Sequence, residues 1–178
     1  MKGRSYMKNT LLSRLLPIIL TICCGIAIFM FSKQNGIDSV RVSNGFLKHL
    51  LSFYRNVPIS EISPEDIYRY SHLIRKLAHL FIYFILGIFS CWSAYALFGK
   101  HHGKCSMLFC VLYALSDEFH QTYSSGRNAN TGDVIIDSAG AAAGIIFMCL
   151  VIRCIEKIKT YWKHIKAAVP LGYSSLSA

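Results

Sequence analysis

Four long apolar runs set the limits on what this chain can become. They cover residues 12–31, 77–97, about 105–123 and 133–152. A backbone in hydrocarbon has no water to bond, so such a run must be helical and close its N–H and C=O groups on itself. About 20 residues at ~1.5 Å each reach across the ~30 Å of a bilayer core. The third run is purely apolar only to Leu115 and ends in Asp117, Glu118 and His120. The first exceeds the ~7–15-residue apolar stretch of a cleaved secretion signal, and no Ala-x-Ala site follows, so it is expected to stay as a helix. Composition agrees: 53% of the 178 residues are hydrophobic and 16% charged, where a soluble domain carries ~25% charged. The expectation is an all-α polytopic membrane protein of about four transmembrane helices, one domain over residues 1–178.

Two further helical features stand outside the spans. Ser63-Pro64-Glu65-Asp66 reads as a helix start, with Ser63 as N-cap, Pro64 at the first position and acids in the first turn. The second span is therefore expected to begin at Pro64. Residues 40–54 form an amphipathic segment suited to the outer headgroup layer, with Gly45 as its weak point.

Charge gives the orientation. Lys2, Arg4, Lys8, Arg14, Lys100, Lys104, Arg153, Lys157, Lys159, Lys163 and Lys166 fall on one side, with Glu156 the single acid there. The other side carries equal numbers of acids and bases, so the formal net charge of +10 lies on one face. Lys and Arg sort to the cytoplasm, which puts the basic tails, residues 1–11 and 153–178, inside. The excess is topology and attraction to anionic lipid, and no nucleic-acid partner is expected. Cys23, Cys24, Cys91, Cys110 and Cys149 fall inside spans, and Cys105 and Cys154 at the inner boundary. They show no ligand spacing and read as small packing residues. His101 and His102 read as solvated loop residues. Phe81, Phe84, Phe89, Trp92 and Tyr95 read as lipid-facing or packing aromatics, with Tyr161 and Trp162 at the inner interface.

Ionisable groups inside a span cost a few kcal/mol each and mark function or a buried pair. Here they gather at one depth. Arg75, His79 and Tyr83 recur every four residues and share a helix face. Asp117, Glu118, His120 and Gln121 crowd the outer end of the third span, Arg127 sits in the loop that follows, and Asp133 and Asp137 open the fourth. Gly140 and Gly144 continue that last face as a small-residue seam for a neighbouring helix. Two readings follow. One is a salt-bridge cluster in which Arg75 and Arg127 neutralise the four acids. The other is a polar pocket for binding or acid–base chemistry, with Asp117, Glu118, His79 and His120 as catalytic candidates. Ser116 and Ser138 lack the context of a nucleophile. A zinc or manganese set from His79, His120 and carboxylates lacks a helical spacing such as HExxH, so no metal is expected there.

In order along the chain, Phe31-Ser32-Lys33-Gln34, Arg75-Lys76-Leu77-Ala78-His79, Tyr83, Leu86-Gly87, Ser116-Asp117-Glu118-Phe119-His120-Gln121, Gly126-Arg127, Asp133, Asp137, Gly140 and Gly144 resemble the VanZ-like family of bacterial membrane proteins. The likeness covers about 31–144, and Ser125 stands where the family often has Pro. The resemblance implies four to five helical spans in the bacterial plasma membrane and an association with resistance to teicoplanin-type glycopeptides. It supplies no catalytic assignment. Three functions remain open. The first is a binding protein for an envelope lipid, a lipid-linked precursor or a lipoglycopeptide, using Arg75, His79, Tyr83, Asp117, Glu118, Gln121, Arg127, Asp133 and Asp137. The second is an enzyme acting on such a headgroup. The third is a scaffold that recruits other membrane proteins through the glycine seam.

Overall fold

The computed structural model describes residues 11–32, 36–122 and 131–168, and among these every long element is helical. Helix α1 is Leu11–Ser32, α2 is Gly36–Arg55, α3 is Pro64–Phe98, α4 is His102–Gln121 and α5 is Thr131–Ala168. A 3-10 turn, Ile59–Glu61, joins α2 to α3. Helices α1, α3 and α5 are long and apolar enough to cross a membrane. Their outward faces are apolar, as at Ile22, Ile26, Phe81, Ile146 and Leu150, the reverse of a water-soluble bundle.

The fourth expected span is a helix but does not join that set. It packs on both α3 and α5, and Lys104, Asp117 and Glu118 lower its apolar content. Helix α3 runs from Pro64 as expected, and α5 continues well beyond its expected end at residue 152. At ~1.5 Å per residue, the 35 residues of α3 and the 38 of α5 exceed the ~30 Å of hydrocarbon by roughly three quarters or more. Helix α3 overhangs at its N-terminal end and α5 at its C-terminal end.

Local chemistry explains the ends. The Ser63 hydroxyl accepts the Asp66 N–H at 3.1 Å, and Pro64 takes the first helical position, so α3 starts where its sequence predicts. It stops at Gly99, whose φ of 66° is the left-handed conformation glycine tolerates. His101 is also left-handed, so three residues turn the chain and α4 returns antiparallel to α3.

The overhang of α3 carries α2. Leu47, Ile62 and Ile67 form a small buried cluster between them, backed by Leu51, Tyr70 and Ile74. Two Arg55–Asp66 hydrogen bonds, 2.6 and 2.9 Å, add a surface clasp that holds the guanidinium above its ordinary pKa. Gly45 does not interrupt α2. Phe46, Leu50 and Phe53 make an exposed apolar stripe along α2.

The spine is α3 against α5. Contacts advance together along both helices, from Leu80–Gly140 to Phe84–Gly144, so the two run parallel. A Cβ at Gly140 would enter the Leu80 carbonyl oxygen, and one at Gly144 the Phe84 carbonyl oxygen. From the facing helix, a Cβ at Gly87 would enter the carbonyl oxygen of Ala141. The expected seam is thus used inside the chain, and Gly87 completes it. Helix α1 closes the bundle through Thr21–Ser93 at 2.9 Å and through the Tyr113 hydroxyl, which donates to the Gly25 carbonyl at 2.7 Å.

Candidate functional site

The four-residue spacing on α3 puts Arg75, His79 and Tyr83 on its bundle-facing side. Arg75 and His79 are half-buried and Tyr83 is fully buried. Helix α4 comes alongside with Asp117, Glu118 and Gln121, all buried, and Gln121 Nε2 donates to Asp117 Oδ2 at 3.0 Å. Helix α5 supplies Asp137, which is 2% exposed, and its Oδ1 lies 3.4 Å from His79 Nδ1. That is an ion-pair distance, long for a hydrogen bond. Asp117, Asp133 and Asp137 all act electrostatically on His79, and Asp117 and Asp137 also act on the Tyr83 hydroxyl.

Two helices that were expected, but not as parts of the site, complete it. A cavity of about 220 Å³ opens beside this cluster, and its polar lining is Arg75, His79, Asp117, Ser32 and Ser43. Ile28, Phe31 and Val42 contribute apolar wall. Ser32 and Phe31 come from the end of α1, and Val42 and Ser43 from α2. Ser32 stood in the Phe31-Ser32-Lys33-Gln34 motif, which was the one sequence signal for it. Val42 and Ser43 carry no such signal. At ~30 Å³ per water the cavity takes a phosphate- or carboxylate-sized group with a few waters, and it is below the ~300 Å³ usual for drug-sized ligands. Two buried oxygens in this neighbourhood, Ser32 Oγ and Tyr83 Oη, have no hydrogen-bond partner. Buried polar atoms rarely stay unpaired, so the site has unused bonding capacity.

Not every expected residue converges. His120 turns toward α1 and packs its ring on Phe29, centroids 4.6 Å apart, and it does not line the cavity. Arg127 lies outside the described residues, as do Lys33 and Gln34. Among the described residues Arg75 makes no ion pair, so its expected neutralisation of the acids is not observed. Its head instead faces the cavity. A more open groove of about 700 Å³ between α2 and the α3 overhang is lined by Arg41, Lys48 and His72, all exposed. Its charges are solvated and lack the convergence of the smaller site.

The opposite end of the bundle corrects another expectation. His102 is no loop residue. It is the first residue of α4, half-buried, with Nδ1 2.8 Å from the Gly99 carbonyl and its ring edge-on to Tyr95 at 5.4 Å.

Together these features define a small polytopic helical membrane protein with a polar cluster enclosed at one end. The family model VanZ/LLP1 matches residues 17–153, and the chain belongs to that family. The match extends beyond the 31–144 expected and takes in α1. No curated protein and no solved structure matches the chain.

Proposed function

We propose that this protein binds the anionic headgroup of an envelope lipid or lipid-linked precursor in the 220 Å³ cavity, within the outer leaflet of the bacterial plasma membrane. The observation that carries the reading is the cavity's content. It pairs a guanidinium not engaged by any described acid with an imidazole and with the buried, unpartnered Ser32 hydroxyl. A guanidinium is planar and forked, and suits phosphate and carboxylate alike. The apolar wall from Ile28, Phe31 and Val42 suits the acyl side of such a ligand. Occupying the precursor in this way would change how a membrane-anchored glycopeptide of the teicoplanin type reaches its target.

In this reading α4 is a fourth span. Its 20 residues match the bilayer at ~1.5 Å per residue, and its charged end is the one that faces the cavity. Both tails are then cytoplasmic, and the exposed apolar stripe of α2 lies in the outer headgroup layer. On a cysteine-free background, a cysteine at position 130 reacts with an impermeant thiol reagent added to whole cells, and one at position 103 reacts only after the cells are opened. The reverse pattern would sink the topology.

The binding claim is tested by native mass spectrometry of the protein released from its own lipids. A retained phospholipid or lipid-phosphate adduct is expected, lost in Arg75→Gln while the fold is kept. Equal retention by both proteins would refute it. One observation favours enzymatic chemistry as a second reading: buried Asp137 faces His79 as an orienting carboxylate faces a general base. Glu118→Gln then keeps binding and loses turnover of a lipid-linked headgroup. No turnover of any purified envelope lipid by the unmodified protein would remove this reading.

A further inference from the structure

We propose that Cys91, His102 and Cys149 form a binding site for a divalent d10 cation of the zinc class, at the end of the bundle opposite the polar cavity. The three side chains come from three helices, and one potential ligand atom from each lies within 4.8 Å of the others. The Cys91 and Cys149 sulfurs are 3.7 Å apart. Two thiolates ~2.3 Å from a tetrahedral zinc stand about 3.8 Å apart, and a thiolate and an imidazole about 3.6 Å. The sulfurs therefore already have the spacing that a shared ion imposes.

The histidine is prepared in the same sense. A carbonyl oxygen only accepts, so His102 Nδ1 carries the proton donated to Gly99 at 2.8 Å. That fixes the tautomer and leaves Nε2 with its lone pair free to ligate, the usual arrangement behind a metal-bound histidine. The left-handed Gly99 makes the turn that presents this carbonyl. Gly103 brings the first turn of α4 against Cys149, close enough that a Cβ there would sit 3.5 Å from the sulfur.

Donor type and charge select the ion. Sulfur and imidazole disfavour magnesium and calcium, which take oxygen. Two thiolates cancel a 2+ charge, whereas a monovalent copper ion would leave one negative charge inside the bundle, which is costly there. Binding releases two thiol protons per ion and leaves a fourth coordination position to water.

The test uses the full-length protein, purified in detergent with metal-free buffers. Titration with cobalt(II) should give one equivalent per chain with a sulfur-to-metal charge-transfer band, discharged by zinc. Direct proton counting during zinc addition should give two per ion. Cys91→Ser and Cys149→Ser should abolish the band, and Cys23→Ser, on the exposed face of α1, should leave it intact. His102→Ala should weaken binding by more than the roughly 10–100-fold seen for a residue behind a ligand. Absence of the band in folded unmodified protein overturns the proposal without recourse to any variant. So do preferential binding of copper(I) over zinc and isolation of the protein with a Cys91–Cys149 disulfide.

Discussion

The two ends of this bundle solve different problems with different atoms. One end, built by α3, the C-terminal half of α4 and the start of α5, collects carboxylates, an imidazole and a guanidinium around a cavity. The other end collects two sulfurs and one imidazole, with the sulfurs 3.7 Å apart. Charges in hydrocarbon are expensive, so a span that carries Asp, His and Arg announces itself. Cysteine costs little to bury and announces nothing. The first end was therefore legible in the sequence, and the second was not.

Both ends hang on one spine, and breaking it is expected to have the largest effect. Gly144→Leu would force a side chain into the Phe84 carbonyl, where backbone cannot yield as a flexible side chain would. The expected cost exceeds the ~3 kcal/mol at the top of ordinary overpacking. Yield of monodisperse protein should collapse, and lipid retention should vanish with it. Gly144→Ala should show the same defect in milder form. If Gly144→Leu gave a melting temperature within a few degrees of the unmodified protein, the ends would not share a frame and their comparison would lose its basis.

An intermediate effect separates the two ends. His79→Gln leaves buried Asp137, and Asp137→Asn leaves half-buried His79, without its partner, at about 1–3 kcal/mol by thermal or denaturant unfolding. Residues in contact couple, so the double variant should recover ~0.5–3 kcal/mol relative to the sum. Strict additivity would mean that the 3.4 Å approach carries no energy. Neither change should alter cobalt binding at the far end. A change there would mean that the ends communicate through α3 and α5.

What the sequence withheld has physical causes. Periodicity and hydropathy located α1, α3 and α5 because one-dimensional patterns suffice for a helix and its cap, as at Ser63-Pro64. They placed Arg75, His79, Asp117 and Asp137 at one depth because depth follows position along a span. They did not place His120, since which side of α4 meets α1 is a property of packing. The same holds for Val42 and Ser43, ordinary residues that line the cavity only because α2 folds onto the overhang of α3. Of the two readings open for Arg75, the described residues show no ion pair to it, since like depth does not guarantee that two side chains meet. Cys91 and His102 are joined through the tight Gly99 turn, and Cys149 is distant in the chain, so only parallel packing of α3 and α5 brings the three together.

The smallest expected effect sharpens the comparison by showing what lies outside it. Arg55 and Asp66 make two short hydrogen bonds on the surface of the α2–α3 junction. Water and salt screen an exposed pair, and holding two side chains in register offsets much of the attraction. The buried contacts of Leu47, Ile62 and Ile67 hold α2 in place instead. Arg55→Gln should leave the melting temperature, lipid retention and cobalt binding within error in physiological salt, with any deficit confined to low salt. Leu47→Ala removes a side chain that is 2% exposed and should cost about 2–5 kcal/mol. It should also speed proteolysis within α2 and reduce lipid retention, because Val42 and Ser43 then no longer close the cavity. If Arg55→Gln opened the cavity as readily as Leu47→Ala, the lid would be held by charge rather than by burial. The cavity would then be sensitive to ionic strength, which the buried cluster argues against.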